Sequence, residues 1–307
     1  MYLPVIEQHY RTGLDMVTKF LWILSVALSA SPRSALAAPV FSQAINVGDI
    51  TDHRITEASG LAASRIHPSV LYTHNDKGDS SRIFAMDADS GGFLAELNIN
   101  HARNYDWEDI AVGGCPGAPT KSCIYIGDTG DHSGDGSVKI IYVVEEPALL
   151  RSGDLDPVVT LHYTWTVLDC ETLMVDPTGN VVLISKVHGG IGQVAKIPAS
   201  AFTTGGTYQI SSSTTLRIPP TTHNDPVGGD ISPNGQEVLL RTHNSLYYWR
   251  VDSMDYLRAL STVDPVAVSH VKEHQGEAVA WDALGNGYFT CSEGHNQPLY
   301  YFRRSAF

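Results

Sequence analysis

The chain is short of several things, and each shortage removes a class of protein. Basic residues are few: 20 Lys and Arg stand against 33 Asp and Glu, a formal charge of −13. Such a surface repels nucleic-acid phosphates and anionic lipid headgroups, so neither is expected as a partner. Cysteine occurs four times and never as C-x-x-C, which removes the usual zinc cluster. Long amphipathic helical patterns are scarce, and no apolar run reaches the ~20 residues of a membrane-spanning helix. G-x-S-x-G, H-E-x-x-H, calcium-loop nonapeptides and N-glycosylation sequons are missing. "GGIGQV" (189–194) holds only a fragment of a dinucleotide fingerprint, and it lies between strand-like runs rather than opening a helix. What is plentiful is glycine (27) and proline (16) in a chain that is 43% hydrophobic, the make-up of a turn-rich globular protein.

Near the start, "KFLWILSVALSA" (19–30) places a basic residue before an apolar run of about ten, and "SALAAP" (34–39) offers an A-x-A cleavage pattern. A secretory signal peptide over residues 1–37 is expected, with Met16 as an alternative start and an uncleaved anchor as the rival reading. Export predicts a secreted or periplasmic location in which disulfides are permitted. Cys115 and Cys123 flank the turn-rich "PGAPTKS" and are expected to pair, whereas Cys170 and Cys291 sit inside strand-like runs and are expected to be free and buried.

Laid against itself, the rest of the chain repeats five times. "ITEASGLAAS" (55–64), "YDWEDIAVGG" (105–114), "LDCETLMVDP" (168–177), "PVGGDISPNG" (226–235) and "QGEAVAWDAL" (275–284) share one plan: an acid, then small and apolar residues, then a turn. Second and third apolar runs follow each motif, and a fourth follows all but the last. Short strands with regular turn signals, four to a unit, predict an all-β, five-bladed β-propeller over 38–307 as one domain. The last unit lacks its fourth strand, and "PVFSQAINV" (39–47) is available to close the ring. "SMDYLRALS" (253–261) reads as a short decorating helix.

In a propeller the first strand of each blade lines the channel, and the loop after the second strand opens on the same face. The motif acids Glu57, Glu108, Glu171, Asp230 and Glu277 are therefore expected to converge at one mouth. Around them should stand His74, His132, His188, His243 and His295, together with Asp76, Asp128, Lys186, Arg241 and Glu293. Each has a bland reading: an inner acid can accept backbone N–H bonds and lock the ring, and a histidine in a polar turn can be merely solvated. Five carboxylates on one axis nonetheless repel in a low-dielectric channel, so they must be protonated, paired with cations, or hold an ion. Calcium suits oxygen ligands best, and the histidines leave zinc or manganese open.

"EASGLA", "WEDIA", "GEAVAWD" and "YIGDTGDH" resemble secreted bacterial propellers of the phytase-like or esterase-like type, over nearly all of 55–307. The architecture is also similar to the five-bladed calcium-activated nucleotidases. That likeness implies metal ligation by Glu57, Glu108, Glu171 and Glu277, and the reading of the residues adds Asp230.

Three functions follow. The first is a metal-assisted hydrolase of a small phosphate-bearing anion, with Glu57, Glu108, Glu171, Asp230 and Glu277 on the ion and Lys186, Arg241, His188, His295 and Glu293 on the substrate. His74, His243, Asp76 and Asp128 would then handle protons. The second is a glycoside hydrolase using two of these carboxylates, with Tyr72, Trp107 and Trp281 offered to sugar rings. The third is a non-catalytic ligand- or protein-binding propeller. A monomer acting on a small-molecule or saccharide substrate is expected.

Overall fold

The computed structural model describes residues 38–131, 139–187, 191–220 and 224–305. Within them the five sequence repeats are five sheets, antiparallel except for a short parallel edge strand on two of them, Gly153–Leu155 on the first and Thr207–Gln209 on the second. Each sheet is built on a four-strand meander whose first strand lies innermost. The innermost strands are Ala58–Ala63, Trp107–Cys115, Cys170–Val175, Pro226–Ile231 and Gly276–Trp281, and every residue in them is buried. A strand covered on both faces reads as a continuous run of small and apolar residues, which is why these segments lack polar alternation. The fourth strands of the first two blades, Phe93–Ile99 and Pro157–Thr164, alternate between buried and exposed.

Turn chemistry sets the meander. After three of the inner strands the chain reverses through Asp176–Gly179, Ser232–Gly235 and Asp282–Gly285, where each glycine donates its N–H to the first residue's carbonyl at 2.8–3.0 Å. Gly179, Gly235 and Gly285 have φ of 83°, 73° and 72°, a region that strongly favours glycine. The side chain of Asp282 accepts from the N–H groups of Leu284 and Asn286, and Asp176 does the same for Thr178 and Asn180.

Five apolar clusters make the ring, each filling the space between two successive blades. Tyr72 and Trp107 join blades 1 and 2, and Tyr125 and Leu173 join 2 and 3. Met174 and Trp249 join 3 and 4, Tyr248 and Trp281 join 4 and 5, and Phe84 and Phe289 join 5 and 1. The ring closes as expected with an N-terminal strand on the last blade. That strand is Ile45–Ile50, paired antiparallel with Gln297–Arg303, and Phe41 adds an isolated bridge to Arg304. The closure removes two free sheet edges.

The expected helix is present as Tyr256–Thr262, capped by the Asp255 carboxylate, and a shorter helix spans Ala201–Thr204. Cys115 and Cys123 form a disulfide, while Cys170 and Cys291 are free and buried. No helix among the described residues is long and apolar enough to cross a membrane.

Candidate active site at the mouth of the ring

One irregularity recurs in every blade and builds the site. Near its start, each inner strand slips by one residue against the second strand: between Ala58 and Gly60, Trp107 and Asp109, Cys170 and Thr172, Pro226 and Gly228, Gly276 and Ala278. The extra residues are Ser59, Glu108, Glu171, Val227 and Glu277. A β-bulge leaves its extra residue out of the ladder and re-aims its side chain. The four polar bulge residues converge: the Ser59 hydroxyl donates to the Glu108 carbonyl at 2.6 Å and lies 3.4 Å from Glu277 Oε2. The carboxylate of Glu171 acts electrostatically on those of both Glu108 and Glu277.

Two of the expected convergent acids hold other places in this register. Glu57 stands two residues before its bulge and is exposed at the rim. Asp230 stands three residues past its bulge, buried within the strand, where its Oδ2 accepts the Trp281 N–H of the next blade at 2.8 Å. It locks the ring, as does Asp109, whose Oδ1 accepts from the Ile110 N–H at 2.9 Å. Asp109 Oδ2 accepts from the N–H groups of Leu173 at 2.9 Å and Gly229 at 3.4 Å. Burial lifts Asp109 well above the usual carboxylate range and Asp230 to about 7.

A second row of acids lies two residues ahead of the bulges: Glu57, Asp106, Asp169 and Asp225, with Gln275 in blade 5. Carbonyls of this row accept from the loop after the second strand, through Asp76 N, Thr129 N, Lys186 N and Glu293 N. The D-x-E of "DWE" and "DCE" is the local signal for the two rows, and Asp106 and Asp169 enter the site through it. One oxygen each of Asp76, Asp106 and Glu108 lies within 4.8 Å of the others, and the same holds for Glu108, Asp169 and Glu171. Glu108 belongs to both groups. Three cations stand nearby. Lys186 Nζ pairs with Glu171 Oε1, Lys77 Nζ lies 3.9 Å from Asp106 Oδ1, and Lys139 Nζ donates to the Gly130 carbonyl.

Titration follows from this crowding. Burial, then the Glu171 charge, pushes Glu108 well above the ordinary carboxylate range. Burial raises Glu171 to about 8 against the pull of Lys186. Burial and Glu293 raise Glu277 to about 8, and burial and Asp76 raise Glu293 to about 7. The hydrogen bond between the last two raises Glu277 and lowers Glu293, so Glu277 is the group that keeps the proton. Burial opposes the charge of Lys186, but the adjoining Glu171 carboxylate outweighs it and takes Lys186 to about 12.

No family model matches the chain, and no curated protein matches it. Among solved structures it is similar to the PQQ-bound aldose sugar dehydrogenase of Streptomyces coelicolor, at 12% identity and a TM-score of 0.51 over 87% of this chain and 100% of that one. It is also similar to the major Malassezia sympodialis allergen Mala s 1, at 13% identity and a TM-score of 0.55 over 84% and 97% of the two chains. The likeness is one of fold.

The remaining expected residues divide by the side of the sheet they occupy. Asp128 is at the site: its Oδ1 accepts the Asp106 N–H at 2.9 Å, its Oδ2 is buried without a partner, and burial raises it to about 6. His74 is not. Its ring is fully buried against Trp107, with Nδ1 donating to the Asn75 carbonyl, and burial holds it in the neutral form. It pairs with Gly60, where an added Cβ would come within 2.8 Å of Nε2; the glycine makes the room the imidazole fills. Arg241 pairs with Gly228, and its guanidinium takes the room left by Gly276 of blade 5, buried on Glu273 and on the carbonyls of Ala278 and Cys291. That set of partners ties blade 4 to blade 5, in place of the expected substrate clamp. His243 is half-buried in its loop, and His295 is exposed two residues beyond Glu293. His132 and His188 lie outside the described residues. Tyr72, Trp107 and Trp281, offered to sugar rings, are fully buried core residues.

Proposed function

We propose that the protein is a hydrolase of small phosphate-bearing anions, working at the mouth with a divalent cation held by Asp76, Asp106, Glu108, Asp169 and Glu171. The observation that carries this reading is the sharing of Glu108 between two groups of three carboxylates. A second supports it: Glu171 Oε2 is buried with no hydrogen-bond partner while Oε1 is taken by Lys186. The donors are all carboxylate oxygens, and no described histidine belongs to either group, which favours calcium over zinc or manganese. Such an ion would polarise a phosphoryl oxygen and ease deprotonation of water.

The chain's own groups supply the rest. Lys186, fixed beside Glu171, offers an ammonium to phosphate oxygens. Glu277, protonated at neutral pH beside Glu293, is placed to give its proton to a leaving oxygen. A secreted or periplasmic location belongs with this reading, since the Cys115–Cys123 bridge suits an oxidising compartment.

The test is calorimetric titration of metal-free protein with calcium, alongside turnover of nucleotides and aryl phosphates. Saturable binding that Glu108→Gln abolishes, and turnover that chelation removes and calcium restores, are expected. Undiminished turnover in chelator refutes the mechanism. The proton-holding Glu277–Glu293 pair also suits an acid–base glycosidase; cleavage of aryl glycosides by metal-free protein would favour that reading. Calcium binding that raises Tm with no turnover on either panel would leave the ion as a ring lock.

A further inference from the structure

The face opposite the mouth carries a second feature, at the seam between blades 5 and 1. In three blades the connection between the third and fourth strands folds back over the cleft shared with the preceding blade and plugs it, and in the last blade the segment before the closing strand does the same. Leu150 and Leu155 do so between blades 1 and 2, and Phe202 packs edge-on to Tyr125 between 2 and 3. Tyr256 and Leu260 fill the cleft between 3 and 4. Phe41, on the segment leading into the closing strand, packs edge-on to Tyr288 and tilted against Trp281 between 4 and 5. Blade 1 has no such connection. Its third and fourth strands are joined by the tight turn 88–92, with Gly91 at φ 71°.

The cleft that this turn fails to cover is a cavity of about 560 Å3. Its walls include Val47, Leu71, Phe289 and Ala88, and its rim carries Ile45 at 41% and Leu284 at 81% exposure. Half-buried Arg65, whose charge also acts on the Asp230 carboxylate, lines the cavity beside this apolar wall, and the exposed Arg303 adds a second guanidinium. Of the acids that line it, Asp282 is engaged by Tyr301 and two backbone N–H groups, and Asp89 is exposed on the turn. A pocket of this size with an apolar wall and one polar anchor is of the kind that takes a small molecule.

We propose that this inter-blade cavity binds an amphiphilic carboxylate, its apolar body against Phe289 and Leu71 and its head on Arg65. The site is separate from the mouth and does not depend on the function proposed there.

The experiment is calorimetric titration of the full chain with decanoate below its micellar concentration, with decanol as the neutral counterpart. Saturable decanoate binding is expected, weakened at least about tenfold by Arg65→Met, the worth of a charge-assisted hydrogen bond. Decanol should be indifferent to that change. Ala88→Phe should abolish binding of both, and Leu284→Ser, on the exposed rim where folding is not at stake, should weaken both. Glu108→Gln should alter neither. No saturable decanoate binding, equal affinity in wild type and Arg65→Met, or undiminished binding in a folded Ala88→Phe variant would each overturn the proposal.

Discussion

Replacing Glu277 by Gln should stabilise the metal-free protein at alkaline pH and change little in acid. The unfolded carboxyl ionises near 4.5, whereas in the ring it holds its proton to about 8. A folded-state pKa raised in this way contributes stability that is complete below pH 4.5 and is lost as pH climbs toward 8. At 1.36 kcal/mol per unit, the loss relative to a permanently neutral side chain is about 1 kcal/mol at pH 5 and about 5 kcal/mol at pH 8.5. Glutamine mimics the protonated acid, and its amide can donate to Glu293 as Glu277 does. Glu277→Gln should therefore melt about 10 °C above wild type at pH 8.5 in chelator, taking 2–4 °C per kcal/mol for a domain approaching this size, and within about 3 °C of it at pH 5. Circular-dichroism melts at the two pH values decide the matter. A variant destabilised equally at both would show that Glu277 is held as an ion, and the account of the mouth's proton would fall with it.

Two further substitutions probe the locks that hold the mouth together. Asp109→Ala leaves the N–H groups of Ile110, Leu173 and Gly229 without their acceptor, and urea unfolding should show a loss of about 3 kcal/mol or more. Arg241→Met strands the buried Glu273 carboxylate and should cost about 3–5 kcal/mol by the same assay, with Arg241→Met/Glu273→Gln recovering most of it; recovery is the outcome that separates an ion pair from mere packing.

The ring itself was legible because its signals are local. Glycines such as Gly179 and Gly235 mark the reversals, and the runs around Val181–Ser185 and Glu237–Thr242 are apolar because blades cover them on both sides. The unfilled fourth strand of the last blade pointed to its N-terminal partner, and the observed strand begins a few residues later than the sequence suggests. The site was only half legible. A one-residue slip in pairing has no composition of its own: Ser59, Glu108, Glu171, Val227 and Glu277 share a position, yet only three of them are acids. Aligning by charge therefore drew Glu57 and Asp230 into a row they do not occupy. It also grouped His74 and Arg241 with loop residues, although both belong to second strands and fill the clefts between blades. The signal that separates them is a glycine that leaves room for the side chain, Gly60 on the facing strand for His74 and Gly276 of the next blade for Arg241.

A fivefold frame is a poor match for small molecules, which seldom have that symmetry. Here the five seats at the bulges are filled unequally, with a hydroxyl from Ser59 and an isopropyl group from Val227 interrupting the carboxylates. Most of the clustered carboxyl groups thereby lie on blades 2 and 3, with Lys186 to one side of them. A visitor entering along the axis meets a hole with a compass direction, and can be held in one orientation out of five by side chains alone while the backbone stays regular.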